Sequence, residues 1–475
     1  MKKIFPLLAG CAVFITLASA EQNSVEQVDP YVRSEIQKQR IPGLALGVYR
    51  AGEIIKAQGY GLANVELSVP VHPDTIFQSG SVGKQFTATA IMMLVEEGKL
   101  GLDDSIRKYF PEAPATWQNV KIRNLLSHTS GLGEYESDER TKPGGPINMR
   151  ADYTEDQLVK IIETFPLDFQ PGEKWAYRNT NYVLLGVLIH KLTGQFYGDF
   201  LQQRIFKPLS MTSTRIISEA DIIPSRSAGY RLVKGELKNQ EWVSPTMNST
   251  ADGALYFNVL DLANWDAALY TEKLLKRSTL DQMWTIARLN NGKENSDNYG
   301  FAWAIDKMNG HTVLEHAGAW QGFTTYIARY INDRLTVVVL TNLDSAHSNP
   351  KTIAHHVAGF YDPDLTPPEL KPIADKEPQV GALLKATLEE IIAGKARPEK
   401  FTAEFRASLF PSGVEDLAAE LKALGSLQSL VLVERKDEDN LRSYTYRGTF
   451  SETQVLIEMA LDSDNRIGDL SLSRE

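Results

Sequence analysis

The residues best placed to do chemistry are Ser81 and Lys84, within Gln78-Ser79-Gly80-Ser81-Val82-Gly83-Lys84. They open an apolar stretch in which Phe86, Ala88, Ile91, Met92, Leu94 and Val95 mark a helix. On a helix, side chains three positions apart share a face, about 5 to 6 Å apart at Cβ, so the amine of Lys84 reaches the hydroxyl of Ser81. Serine is a poor nucleophile until a base takes its proton, and a partly desolvated lysine with a lowered pKa can be that base. Placement at the helix start adds unpaired N–H groups and the positive dipole end, which favour a developing alkoxide and disfavour an ammonium. The competing reading is a helix-capping serine followed by a solvent-facing lysine.

The same spacing recurs at Ser105 with Lys108 and at Ser348 with Lys351, where it is expected to be structural. Ser105 follows Asp103-Asp104 in a polar segment that reads as a solvated helix, and Ser348 precedes Asn349-Pro350, where proline disfavours helical backbone. Ser79-Gly80-Ser81-Val82-Gly83 comes within one residue of the Gly-x-Ser-x-Gly elbow of α/β-hydrolases. It fails at Ser79, where glycine is needed, and the surrounding chain lacks the strand-helix alternation of a doubly wound sheet. Neither metal nor cofactor is expected: His72, His190, His311 and His347 show no zinc-ligand spacing, and His355 and His356 fall on a short amphipathic helix.

Two further stretches complete a pattern. Tyr177-Arg178-Asn179 lies within the segment from Pro171 to Gly186, and Glu315-His316-Ala317-Gly318-Ala319-Trp320 lies just before a hairpin pattern. Ser-x-x-Lys, then Tyr-x-Asn, then His-x-Gly, in order and widely separated, resembles the serine β-lactamase and penicillin-binding protein superfamily. The resemblance is greatest to the class C type branch that includes D-aminopeptidases, DD-peptidases and esterases. The phrases Leu125 to Leu132 and Gly253-Ala254-Leu255 extend it over roughly Val28 to Gly359. Tyr256-Phe257-Asn258 and Tyr330-Ile331-Asn332 also satisfy Tyr-x-Asn, but both read as a strand end or turn. Arg178 stands where serine is usual, Ala254 replaces a usual glycine, and no Lys-Thr-Gly or Lys-Ser-Gly occurs.

The resemblance implies that Ser81 attacks a carbonyl and forms an acyl-enzyme, with Lys84 and Tyr177 sharing the proton transfers. Either is open as the formal base, since a phenol beside an ammonium can be partly ionised. Asn179 would orient the lysine or the substrate amide, and the N–H groups of Ser81 and Ala319 would form the oxyanion hole, with Gly318 allowing close approach. His316 would line the cleft from an edge strand, and His128 would make a structural hydrogen bond. An imidazole with a reference pKa of about 6.5 is mostly neutral at pH 7, so anionic β-lactams are expected to be poorer substrates than uncharged esters or peptides. The implied function is an exported serine hydrolase cleaving a short-chain ester or D-amino-acid peptide. The alternatives are a non-catalytic penicillin-binding-type sensor on the same fold and a true β-lactamase.

These side chains must be positioned by an α+β architecture. Leu44 to Tyr49 with Ile54 to Tyr60, and Thr324 to Ile331 with Leu335 to Thr341, read as hairpins. Mainly helical patterns lie between them, including Ser81 to Glu97, Tyr182 to Leu192 and Val259 to Leu269. This predicts one antiparallel sheet built from both ends of the region beside a helical subdomain. Residues 21–362 are assigned to this hydrolase domain, 363–378 to a Pro-rich linker and 379–475 to a small C-terminal α+β module that loosely resembles NTF2-like accessory domains. In that module, helical patterns around Val380 to Ile392, Lys400 to Leu409 and Val414 to Leu424 precede four strand-like runs, with a turn at Lys436 to Asn440.

The 475-residue chain has 43% hydrophobic residues and a net charge of -10, which fits globular domains and argues against nucleic acid as a partner. The expected partner is a small-molecule or short-peptide substrate. Residues 1–20 read as an export signal, with Lys2 and Lys3 before an apolar run and Ala18-Ser19-Ala20 as a cleavage site. A periplasmic or secreted location is therefore expected. The rival is a lipoprotein, because Leu8-Ala9-Gly10-Cys11 resembles a lipobox and acylated Cys11 would tether the chain to a membrane. Cys11 is the single cysteine, so cleavage after Ala20 leaves no thiol for disulfides or thiolate metal sites. No later segment approaches the ~18 apolar residues of a spanning helix.

Overall fold

Two hairpins do most of the organising. At Ala51-Gly52 both residues have positive φ, 55° and 87°, the backbone that a two-residue hairpin loop needs, so β1 (Gly43–Arg50) turns directly into β2 (Glu53–Asn64). The computed structural model describes residues 25–233, 235–344, 348–410, 412–438, 441–451 and 454–474, so the expected signal and Cys11 lie outside the described residues, as does His347. After β3 (Val69–Pro70), the chain passes through a long, largely helical region before β4 (Ala304–Met308), β5 (His311–Trp320), β6 (Phe323–Tyr330) and β7 (Leu335–Thr341). The sheet order is β3-β2-β1-β7-β6-β5-β4. Thus β1 closes against β7, with Leu44 opposite Thr341 and Arg50 opposite Leu335, and the sheet joins both ends of the region as expected.

Both faces of this sheet are covered, which explains the unbroken apolar run of β7. Val338 and Leu340 face a core shared with the helical region, whereas Leu335, Val337 and Val339 face a second core. The second core is capped by α1 (Val28–Gln39) and a late helix, Pro350–Tyr361. In the helical region, α2 (Lys84–Glu96) and α3 (Asn179–Thr193) pack together, and every residue of α2 from Lys84 to Leu94 is buried. Hydrophobicity all round places α2 at the centre of the molecule.

After Asp362 the structure departs from the expected linker. Pro363–Leu365 forms a 3-10 turn, Leu365 is fully buried in the second core, and the Asn309 amide donates to the carbonyls of Asp364 and Thr366. The first linker residues therefore pack with the hydrolase region. Beyond them, helices Pro378–Ile392, Ala403–Leu409 and Ser412–Ala423 precede a four-stranded antiparallel meander over Leu427–Glu438, Leu441–Phe450, Gln454–Leu461 and Ile467–Arg474, with its own apolar core. Strand pairing continues to Glu438 opposite Leu441, so the turn expected at Lys436 to Asn440 is shorter.

Candidate active site

Phe77–Gln78 pairs with Leu255–Phe257, and the chain then enters a 3-10 turn, Gly80–Gly83, that leads into α2. Gly80 has φ +50°, and a Cβ there would lie 2.5 Å from the Ala319 nitrogen. A Cβ on Gly318 would meet the Ser79 carbonyl oxygen at 2.3 Å and the Ser81 nitrogen at 3.0 Å. Glycine at both positions lets the turn press on β5 and brings the Ser81 and Ala319 nitrogens together, as an oxyanion hole requires. Ser79 secures the turn: its hydroxyl donates to the Gly253 carbonyl and accepts from the Leu255 N–H.

Lys84 is fully buried, which rules out the solvent-facing alternative. Its Nζ donates to Ser81 Oγ (2.9 Å), to Asn179 Oδ1 (2.7 Å) and to the Asp252 carbonyl, so each of its donors has an acceptor. It also lies 4.8 Å from the centroid of the Tyr177 ring. Asn179, the first residue of α3, has a fixed amide orientation, because its Nδ2 donates to Glu136 Oε2 at 2.8 Å while Oδ1 faces the lysine.

The Tyr177 hydroxyl is shielded from water. Burial raises its pKa above 10 and outweighs the opposing pull of Lys84 and Ser81. Of the two groups left open as the base, Tyr177 thus holds its proton in the substrate-free site. Its ring packs against His128 at a tilt of 35°, centroids 4.2 Å apart. His128 has φ 57° and a buried ring whose Nδ1 faces two donors, the Arg178 N–H (3.2 Å) and the Asn181 amide (3.1 Å). Nδ1 must accept, so the proton sits on Nε2, and burial, with Lys84 nearby, keeps the imidazole neutral. This is the structural hydrogen bonding expected of His128.

His316 also differs in detail from expectation. β5 is not the outermost strand, because β4 pairs with it from His311 to Glu315, and His316 begins the stretch that β4 leaves uncovered. Its Nδ1 sits 2.6 Å from the Ala317 carbonyl and its Nε2 2.8 Å from the Tyr299 hydroxyl, so Nδ1 carries the proton and Nε2 accepts. Burial first and Lys84 second push its pKa down to about 4, making it neutral at pH 7 for stronger reasons than its reference value gives.

The repeated serine-lysine spacings are structural. Ser105 caps a 3-10 turn, accepting from the Arg107 N–H, and Lys108 pairs with Asp104. The Ser348 hydroxyl bonds to Thr324 and Thr341, while Lys351 pairs with Glu315. Arg178, the departure within Tyr-x-Asn, is engaged by Asp168 at 3.1 Å. Asn248 is buried and accepts from the Trp320 indole. Among the described residues, no group of three or more His, Cys, Asp or Glu is arranged to hold a metal, and no helix is long and apolar enough to cross a membrane.

Sequence reasoning missed Glu136 and its neighbours. The Tyr135 hydroxyl lies 2.8 Å from Glu136 Oε1 and 3.0 Å from Asp252 Oδ2, and the Asn179 N–H donates to Glu134. Burial first, then the charges of Asp252 and Glu134, raise the pKa of Glu136 to about 8. The alternating Glu134-Tyr135-Glu136 directly after the loop through Leu132 is the signal that could have found them.

A serine bonded to a buried lysine, with a phenol and an oriented amide alongside and two backbone nitrogens at a strand, is the arrangement that serine acyl transfer requires, here on a β-lactamase-like fold. The chain belongs to the Beta-lactamase family, whose profile matches residues 28–360. It is 29% identical over 336 residues to a penicillin-binding protein of Bacillus subtilis, covering 68% of this chain and 72% of that one. It is 27% identical over 347 residues to protein flp of Staphylococcus aureus, covering 70% and 66%. Among solved structures it is similar to the octameric penicillin-binding protein homologue of Pyrococcus abyssi, with 22% identity, TM-score 0.62 and coverage of 94% of this chain and 99% of that one. It is also similar to the D-stereospecific amidohydrolase of a Streptomyces species, with 26% identity, TM-score 0.56 and coverage of 69% and 94%.

Proposed function

We propose that the protein is an exported serine hydrolase that cleaves an ester or amide through an acyl-enzyme on Ser81. The observation that carries this reading is the hydrogen bond from fully buried Lys84 to Ser81 Oγ, with Asn179 and the Asp252 carbonyl holding the amine in place. With the Lys84–Tyr177 pair one proton short of its fully protonated resting arrangement, Ser81 Oγ adds to the substrate carbonyl carbon as its proton passes into that pair. The oxyanion is held by the N–H groups of Ser81 and Ala319. The bond to the leaving oxygen or nitrogen then breaks as Tyr177 delivers a proton to that atom. Water adds to the resulting ester, its proton returns through the same pair, and Ser81 leaves with its hydroxyl restored.

Neutral His316 supports uncharged esters or D-amino-acid amides over anionic β-lactams, and the likeness to a D-stereospecific amidohydrolase supports the amide. The test counts product from p-nitrophenyl acetate against enzyme and maps a fluorophosphonate label. Many equivalents released and a label on Ser81, lost in Ser81→Ala, are expected. One equivalent released would instead mark a sensor whose acyl-enzyme persists, and a label at Ser105 or Ser348 would overturn the assignment.

A further inference from the structure

Helix α3 carries Asn179 at its first position and Val183, Gly186 and His190 further along, a spacing that puts all four on one face. Beyond Asn179 that face walls a cavity of about 610 Å³, which is lined by neither Ser81, Lys84, Tyr177 nor His316. A second wall is the segment 249–251. A Cβ on Gly186 would lie 2.3 Å from that of Ala251, so the two walls press directly on each other.

Both walls end at Lys84. Asn179 Oδ1, at the head of α3, and the carbonyl of Asp252, the residue after Ala251, are two of the three acceptors of the buried amine. The segment between is pinned from both sides: the Tyr197 hydroxyl donates to the Thr250 carbonyl at 2.8 Å, and Thr87 of α2 donates to the Ala251 carbonyl at 2.8 Å. A molecule packed against α3 and this segment therefore bears on the two groups that hold Lys84 in place.

The lining selects its ligand by charge and by hydrogen bonding. Leu158, Val183, Val187 and Met247, all buried, supply apolar surface. The acids Glu155 and Asp156 are matched by Lys191 and by His190, whose Nδ1 is 2.6 Å from Glu155, so an ion of either sign would meet like charge. The hydroxyls of Ser249 and Thr250 donate to the carbonyls of Thr246 and Met247 and keep lone pairs that can accept from a ligand. The volume is in the range of pockets that take drug-sized molecules.

We propose that this cavity is a regulatory site for an uncharged, mainly apolar molecule with one hydroxyl donor, of the alkylphenol class, and that its occupant steadies the acceptors of Lys84 and speeds acylation of Ser81. The regulatory half rests on Ser81 being the nucleophile, and the binding half does not. The coupling needs no long path, because each wall is a single element joined to Lys84 by one hydrogen bond.

Calorimetric titration of the full chain, with Ser81 blocked by a fluorophosphonate, measures binding of 4-butylphenol, its methyl ether 4-butylanisole, 4-butylbenzoate and 4-butylbenzylammonium. The phenol should bind with one equivalent, about threefold or more tighter than the ether that lacks the donor and about tenfold or more tighter than either ion. In Val187→Phe, where a phenyl ring takes up the space, binding should be lost while Ser81 is still labelled at the wild-type rate. Ser249→Trp, at a half-buried position of the lining, serves if that variant does not fold. Saturating phenol should speed fluorophosphonate labelling of wild-type Ser81 about fivefold, the lower end of the usual coupling between sites, and leave the filled variant unchanged. An ion bound as tightly as the phenol, binding that survives both substitutions, or a labelling rate unmoved by phenol overturns this inference alone. A wild type never labelled at Ser81 overturns the hydrolase reading, and the regulatory half of this inference with it.

Discussion

In the proposed reaction Ser81, Lys84 and Tyr177 work as one proton-handling group, and their surroundings differ. Lys84 spends its donors on Ser81, Asn179 and a backbone carbonyl, while burial keeps the phenol of Tyr177 protonated. Tyr177→Phe should therefore lower kcat by about 10²- to 10⁴-fold, the range of a lost general acid, with a smaller change in KM. Steady-state kinetics on an anilide, whose leaving group needs the proton, checks this. His128 and His316 are both neutral by burial, and His316 titrates near 4, well below its reference value. The pH profile of kcat/KM for p-nitrophenyl acetate should then show no ionisation near 6.5 that disappears in His316→Gln. Finding one would mean that the ring is more hydrated than its contacts with Tyr299 and Ala317 imply.

At the scale of elements, the site depends on how tightly the Gly80–Gly83 turn is pressed onto β5. A methyl group on Gly318 would overlap the Ser79 carbonyl oxygen, a backbone atom that cannot move without taking Ser81 with it. Gly318→Ala should slow fluorophosphonate labelling of Ser81 by about 100-fold or more, the scale of a 1 Å misplacement in an active site. A labelling rate within a few fold of wild type would show that the oxyanion site tolerates a looser contact. β4 stops at Ala304 opposite Glu315 and so leaves His316 to Trp320 open to the cleft. In the proposed reaction the sheet edge thereby becomes substrate surface.

For the whole molecule, two features carry predictions. Glu315 is buried beneath the cleft; burial opposes its charge, but His355 at 3.1 Å and Lys351 at 2.7 Å prevail and lower its pKa to about 2. A depressed carboxyl stabilises the fold above its unfolded value near 4.5 and loses that contribution as pH falls towards 2. Glu315→Gln should thus flatten the loss of thermal stability over that window, as measured by melting between pH 5 and 2.5. The C-terminal meander has its own core, and we propose that it folds separately. A chain ending at Pro367, which retains the buried Leu365, should still be labelled at Ser81. Helix Ala403–Leu409 runs beside residues 138–141, close after Glu136 in sequence. If the shortened chain folds but is not labelled, the module is part of the site.

The sequence by itself singled out Ser81, Lys84, the Tyr177–Asn179 pair and the strand opposite them, which the structure brings together. Short spacings on helices and hairpins are local geometry, and chemistry restricts which residue types can occupy them. It also determined the sheet, because hairpin signals and apolar runs at both ends of the region left few other pairings. Burial, however, is a property of packing among distant segments. Only the tertiary structure could seal Lys84 and the Tyr177 hydroxyl, lower His316 to about 4, and bring Glu136 within 2.8 Å of Asn179, from 43 positions away in the chain. The unequal cavities on the two sides of Ser81, about 50 and 530 Å³, were likewise illegible, since they are bounded by residues from Gly80 to Lys351 that no local pattern connects.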